Sequence, residues 1–207
     1  IIPLFREQYP GIIIEITETN LPSFKKFLAE GTLDVGLAAD VSTVPFGSLV
    51  QILREEEVFL AVSMFHPYAL SHPSGSPITA EEVKANFAND SLLLSKKGSS
   101  LRMLGEQFFE SCGFEPVAVC ETNNISATRS MVAQNAGIAF ISESCSVNRN
   151  NIAYYPLSPA IKRLNLVVRQ KDWVLNEPEQ AFMDLILNYF KNNTEQPYLA
   201  EKYSISL

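Results

Sequence analysis

The sequence predicts an α/β protein built as two Rossmann-like lobes joined by two crossover strands. Gly11 to Glu18 (GIIIEITE) is rich in Ile and Thr, as buried strands are. An amphipathic helix follows, with Phe24, Phe27 and Leu28 at helical spacing; it stops at Gly31 and turns at once into Leu33 to Ala38. Strand, helix and strand with short links imply a parallel βαβ unit. After His66-Pro67 a second set of alternating helix and strand patterns begins, and Arg163 to Gln170 (RLNLVVRQ) suits a strand returning to the first lobe.

Ile1 to Tyr9 reads as a helix ended by Pro10-Gly11, followed by strand Ile12 to Thr17. The next helix spans Leu21 to Glu30 with Pro22 in its first turn, where the missing N–H has no partner to lose. Gly31 suits the left-handed position past a helix end. Strand Leu33 to Ala38 leads through a polar, Pro-containing loop to an edge strand, Leu49 to Leu53. A separate central strand, Val58 to Ser63, leaves the lobe. Beyond the SHPSGSP loop, Thr79-Ala80-Glu81-Glu82 has the form of a capping box and opens a helix to Phe87. Strands follow at Ser91 to Leu94, Pro116 to Glu121 and Ile138 to Ser142. Between them, helices open at Gly98-Ser99-Ser100 and at Asn123 to Ser126, running to Cys112 and Gln134. Asn176 caps a last helix whose Phe182, Leu185, Ile186, Tyr189 and Phe190 form one stripe, and the tail after Asn192 is polar. Lobe I is therefore expected at 1–66 with 163–207, and lobe II at 67–162.

With 207 residues, 46% of them hydrophobic, the chain can bury a substantial core. No apolar run is long enough to span a bilayer, and nothing at the start resembles a signal peptide, so a cytoplasmic protein is expected. The chain opens at Ile1 inside a helix-like phrase, as a fragment of a longer protein would. A formal charge of −7 argues against DNA binding by this segment, because phosphate contacts need clustered Lys and Arg. Cys112, Cys120 and Cys145 lack the paired spacing of a zinc site, and His66 and His72 do not complete one. Neither a metal nor a cofactor is expected. Without a G-x-S-x-G elbow, HExxH or P-loop, catalysis has no support. His66 is expected to be a hydrogen-bonded structural residue beside Pro67.

The phrases Y-P-G-I-I-I-E-I, E-G-x-L-D-V-G-L, H-P after the central strand, M-V-A-x-N-A-G-I-A-F-I (131–141) and L-V-V-R before the last helix together resemble one family. It is the effector-binding domain of LysR-type transcriptional regulators, and the resemblance runs from Phe5 to about Phe190. Asn135 and Ser142 stand where that family usually has Gly and Pro. The resemblance implies a type-II periplasmic-binding-protein-like fold, a small-molecule effector between the lobes, and a homodimer or tetramer. It also implies DNA contact only through a winged helix-turn-helix absent from this chain. Two other classes share the architecture: transporter solute-binding proteins, and prephenate dehydratase-like enzymes, which need a catalytic acid.

Three polar loops follow strands and open helices, the positions where sheets of this kind hold ligands. Thr19-Asn20, Ser99-Ser100 and Asn124 with Ser126 offer helix-end N–H groups, hydroxyls and amides to an anion. Each also suits ordinary helix capping, and it is the resemblance that lifts Ser99 and Ser100 above it. Arg102, in a first helical turn where a cation opposes the dipole, pairs with an acidic effector or points to solvent. The family's mode of dimerisation implies an interface on the faces of 21–30 and 100–111, namely Phe24, Phe27, Leu104 and Phe108, divided in some proportion with the core.

Overall fold

The computed structural model describes residues 1–42, 49–115, 117–146 and 151–192. The loop expected before Leu49, Pro116 at the expected start of its strand and the polar tail after Asn192 lie outside them. Among the described residues the chain divides into two compact units, 1–55 with 164–192, and 56–163. It passes between them twice, within strands β2 (Leu49–Ser63) and β8 (Lys162–Arg169).

The first unit holds α1 (Ile2–Gln8), α2 (Leu21–Glu30), β1 (Gly36–Asp40) and α7 (Glu177–Asn192), with parts of β2 and β8. Asn20 caps α2 by accepting from the Ser23 amide at 2.9 Å, and Gly31 closes it at φ +68°. β1 pairs antiparallel with β8, Gly36 facing Val168 and Asp40 facing Leu164. Alternate residues of β8 feed two cores. Leu166 and Val168 meet Phe24 and Leu28 of α2, while Val167 meets Leu53 with Met183 and Ile186 of α7. Tyr189, expected in the α7 stripe, is instead 43% exposed.

Two expectations fail in this unit. Residues 12–20 form no strand; Ile13 is 93% and Ile16 71% exposed, and the parallel βαβ unit is not made there. Strand preference reflects fit to a pleated, half-buried surface, and β1 pairs instead with the returning β8. The second failure is the break expected between Leu53 and Val58: β2 runs unbroken for 15 residues through the charged Arg54-Glu55-Glu56-Glu57. Glu56, fully buried, accepts from Arg163 Nε at 2.7 Å and from the Ser144 amide at 3.2 Å, so its charge is compensated inside the strand.

In the second unit β2 runs antiparallel to β6 (Ile138–Ser142) and to β7 (Ile152–Ser158). β6, β4 (Ser91–Leu94) and β5 (Val117–Glu121) are mutually parallel neighbours in that order, and β3 (Ile78–Thr79) extends β7. The helices are α3 (Pro67–Ser71), α4 (Ala80–Phe87), α5 (Ser100–Cys112) and α6 (Ile125–Ala133), with a 3₁₀ turn at Glu143–Cys145. β7 was not expected, since Pro156 interrupts its strand pattern and proline is confined to sheet margins. It finds such a place: beyond β7 there is only the two-residue β3. The expected capping box is present, Thr79 Oγ1 accepting from the Glu82 amide and Glu82 from the Thr79 amide. His66 Nδ1 accepts from the Tyr68 amide, which leaves Nε2 to carry the proton toward Asp90 Oδ2 at 3.2 Å. His66 thus has the structural role its sequence position suggests.

Glu56 also sets a pH dependence. Burial pushes its carboxyl up, but the Arg163 guanidinium and the Ser144 hydrogen bonds outweigh that and hold it below the ordinary value of 4.5. A lowered carboxyl contributes stability that is present above 4.5 and lost as pH falls through its folded value. Arg163→Ala leaves a buried carboxylate uncompensated and should cost about 3–5 kcal/mol by denaturant melts at pH 7. Much of that loss should disappear when the melts are repeated at acid pH.

Candidate functional site

β4 and β5 are adjacent and parallel, with Leu94 opposite Glu121, so the loops that leave them emerge at the same end of the sheet. The Asn123 side chain joins these loops by accepting from the Lys96 amide at 2.9 Å. Ser99 caps α5, its Oγ accepting from the Arg102 amide at 3.2 Å, and Ser100 is the first helical residue. Asn124 caps α6 by accepting from the Ala127 amide at 3.0 Å, and its own amide donates to Thr122 Oγ1 at 3.0 Å. Ser126 lies exposed in the first turn of α6, its carbonyl accepting from Ser130 Oγ. Two helix N-termini, each with its positive dipole end, are therefore held side by side at the carboxyl ends of parallel strands. This is the geometry in which α/β sheets bind anions.

The structure brings together Ser99, Ser100, Arg102, Asn124 and Ser126 in the second unit. Thr19 and Asn20 belong to the first unit, where Thr19 is exposed and Asn20 uses its side-chain oxygen as the cap of α2. Arg102 is largely buried and already paired. Nη1 donates to Glu121 Oε1 at 2.7 Å and to the Ser95 carbonyl at 3.2 Å, while Nε donates to Glu106. The bond to Glu121, then that to Glu106, pushes the Arg102 pKa up, and the same guanidinium holds the Glu121 carboxyl below its ordinary value. Arg102 is a cross-link between α5 and β5, its charge already matched by two carboxylates.

The expected interface residues also change role. Phe24, Leu104 and Phe108 are buried core, and Phe27 is half-buried. The Phe24 ring lies so close to Gly36 that a Cβ there would overlap it. Helical spacing marks these residues as an apolar face, but does not say whether a core or a partner covers it.

One buried polar residue, at the end of β6, was not singled out from the sequence as a site residue. Ser142 ends β6 and is 1% exposed, yet its hydroxyl has no hydrogen-bond partner among the described residues. It occupies the cap position of the 3₁₀ turn without capping it. The signal was in the sequence, as a hydroxyl where the resembled family carries proline.

Comparison with known proteins agrees with this geometry. A family model described as the LysR substrate binding domain matches residues 1–191. An uncharacterized HTH-type transcriptional regulator of Bacillus subtilis, YybE, is 26% identical over 90% of this chain and 61% of its own length. A probable nitrogen assimilation transcriptional activator of Synechococcus elongatus is 24% identical over 87% of the chain and 58% of its own length. The chain thus spans about three fifths of these relatives. Among solved structures, the Synechocystis PCC6803 CcmR regulatory domain in complex with 2-PG superposes with a TM-score of 0.75 at 21% identity. That likeness covers 92% of this chain and 89% of that one. The effector binding domain of QuiR in complex with shikimate gives 0.73 at 18% identity, covering 92% and 88%.

Ser99→Ala removes a cap and should cost about 1 kcal/mol, lowering the thermal midpoint by about 2–4 °C in a calorimetric scan. Phe24→Glu buries a charge in the first unit's core and should abolish that unit's cooperative melting, whatever the state of oligomerisation.

Proposed function

This chain belongs to the LysR substrate-binding domain family, and we propose from that membership that it is the effector-sensing part of a transcriptional regulator. The observation that carries the proposal is the match over residues 1–191, which includes both helix-opening loops at the carboxyl ends of β4 and β5. The family is one of transcription regulators and not of enzymes, and no helix among the described residues is long and apolar enough to cross a membrane.

The effector is a small organic anion. Two adjacent helix N-termini favour negative charge, and the hydroxyls and amides of Ser99, Ser100, Asn124 and Ser126 orient it without a formal positive charge. Thr19 and Asn20, in the first unit, remain candidate effector contacts on the family resemblance alone. Such an effector acts by differential affinity for two states of the regulator, since equal affinity for both shifts nothing. A winged helix-turn-helix outside this chain makes the DNA contact in the cytoplasm, consistent with the −7 charge here.

The regulator works as a homodimer or tetramer. Supporting this, β5 ends the strand order of its sheet and exposes Val117 by 64% and Val119 by 53%, while Met103 of α5 is 37% exposed. An uncovered apolar sheet edge pairs readily with another chain. These residues replace Phe24, Leu104 and Phe108 as the expected contacts.

A thermal-shift screen against carboxylates, phosphorylated compounds and amino acids tests the sensor. A true effector at a hundredfold excess over its Kd should stabilise the domain by about 2.7 kcal/mol, and the gain should vanish in Ser99→Ala/Ser100→Ala. A gain indifferent to that variant moves the ligand elsewhere. Light scattering tests the interface: the wild-type chain should be a dimer and Val117→Lys/Val119→Lys a monomer. A monomeric wild type, or an unchanged variant, counts against it.

A further inference from the structure

We propose that Ser142 contacts the effector directly, its hydroxyl donating to an oxyanion, carboxylate or phosphate, seated on the first turn of α5. The proposal rests on the anion-sensor function above and adds to it a residue that helps set which ligand is taken.

Side chains of β6 alternate between two cores. Ile138 and Phe140 share one with Leu104, Phe108 and Phe109 of α5, while Ala139 and Ile141 face the other. Ser142 is two residues beyond Phe140, so it emerges on the α5 face. Gly105 fixes the alignment along that face, since a Cβ there would stand 2.7 Å from Phe140 Cδ2. α5 follows β4, which is parallel to β6, so the helix begins at the end of the sheet where β6 finishes. Passing from Phe140 to Ser142 advances about 7 Å along the strand. Passing back from Gly105 to Leu101 retraces about 6 Å along the helix. Ser142 therefore lies beneath the first turn of α5, beside Leu101, which packs against the same core.

A buried hydroxyl ordinarily finds a partner, and the two local ones are not used. Ser142 does not cap the turn that follows it, and its cross-strand neighbour on β2 is the apolar Val58. What stands before it is a thirteen-residue helix's N-terminus, whose dipole and amides attract an oxyanion. An oxyanion there accepts from the hydroxyl in a charge-assisted hydrogen bond, and no cation is needed to hold it. Arg102 is engaged by Glu106 and Glu121, and the Ser142 hydroxyl adds a donor beneath the ligand.

The test measures dissociation constants of inorganic phosphate and acetate by ligand-dependent thermal shift for wild type, Ser142→Ala, Ser142→Thr and Ser99→Ala/Ser100→Ala. Ser142→Ala should weaken the better-bound anion about 10-fold or more, the loss of one charge-assisted hydrogen bond. It should leave the ligand-free melting point unchanged or raised, whereas a structural hydroxyl would lower it. Ser142→Thr, which keeps the hydroxyl, should retain most of the affinity. If Ser142→Ala binds as wild type while the α5 double variant does not, Ser142 is overturned and the anion site stands. If neither anion stabilises the wild-type chain, this proposal falls together with the anionic effector. A lower ligand-free melting point for Ser142→Ala with unchanged affinity assigns the hydroxyl to structure and also overturns it.

Discussion

The ion pair between Glu56 and Arg163 is the interaction on which the second unit's organisation depends. These are the first and last residues of that unit, and each lies on one of the two strands by which the chain enters and leaves it. A carboxylate with no side-chain exposure is tolerable only when its charge is matched, and here a guanidinium and the Ser144 amide match it. The result is that β2 continues through a run of charges that would otherwise break it. Nearby, the Glu57 amide donates to Glu143 Oε2 at 3.3 Å, so the 3₁₀ turn after β6 is fastened to the same strand. That turn begins immediately after Ser142, and the ion pair thereby bears on where the end of β6 lies.

The candidate site has an economy of charge. Arg102 cross-links α5 to β5 through Glu121, and the caps at Ser99 and Asn124 start their helices. The two helix ends add their field to the hydroxyls and amides of these loops. Helix ends attract an anion without a salt bridge. Discrimination then comes from hydrogen-bond geometry, where a mispositioned group leaves a buried partner unsatisfied and costs most.

Where a local rule had a local cause, the fold was legible. α2 begins and ends where Asn20, Pro22 and Gly31 place it, the capping box forms at Thr79 and Glu82, and β4 and β6 have the limits their apolar runs suggest. The loops at Ser99 and Asn124 were legible as helix starts for the same reason. Illegible were features that need a distant partner. Ile12 to Thr17 has the composition of a strand but no ladder to join, and β7 carries a proline that only its place near a sheet margin permits. The counterions of Arg102 come from four positions away and from another element altogether, so its sequence position alone did not reveal them.

The sequence by itself determined the family, the alternation of helices and strands in the second unit, the acidic charge balance, and the polar helix starts at Ser99 and Asn124. These follow from hydrophobic period, capping chemistry and turn residues, all of which act over a few positions. Only the tertiary structure decided which apolar faces are core, as for Phe24, Leu104 and Phe108, and which charges are already paired, as for Arg102, Glu56 and Arg163. It alone left Ser142 buried without a partner among the described residues. The reason is physical: burial and charge pairing depend on what arrives from elsewhere in the chain, 107 residues away in the case of Glu56 and Arg163, and no local pattern encodes that arrival.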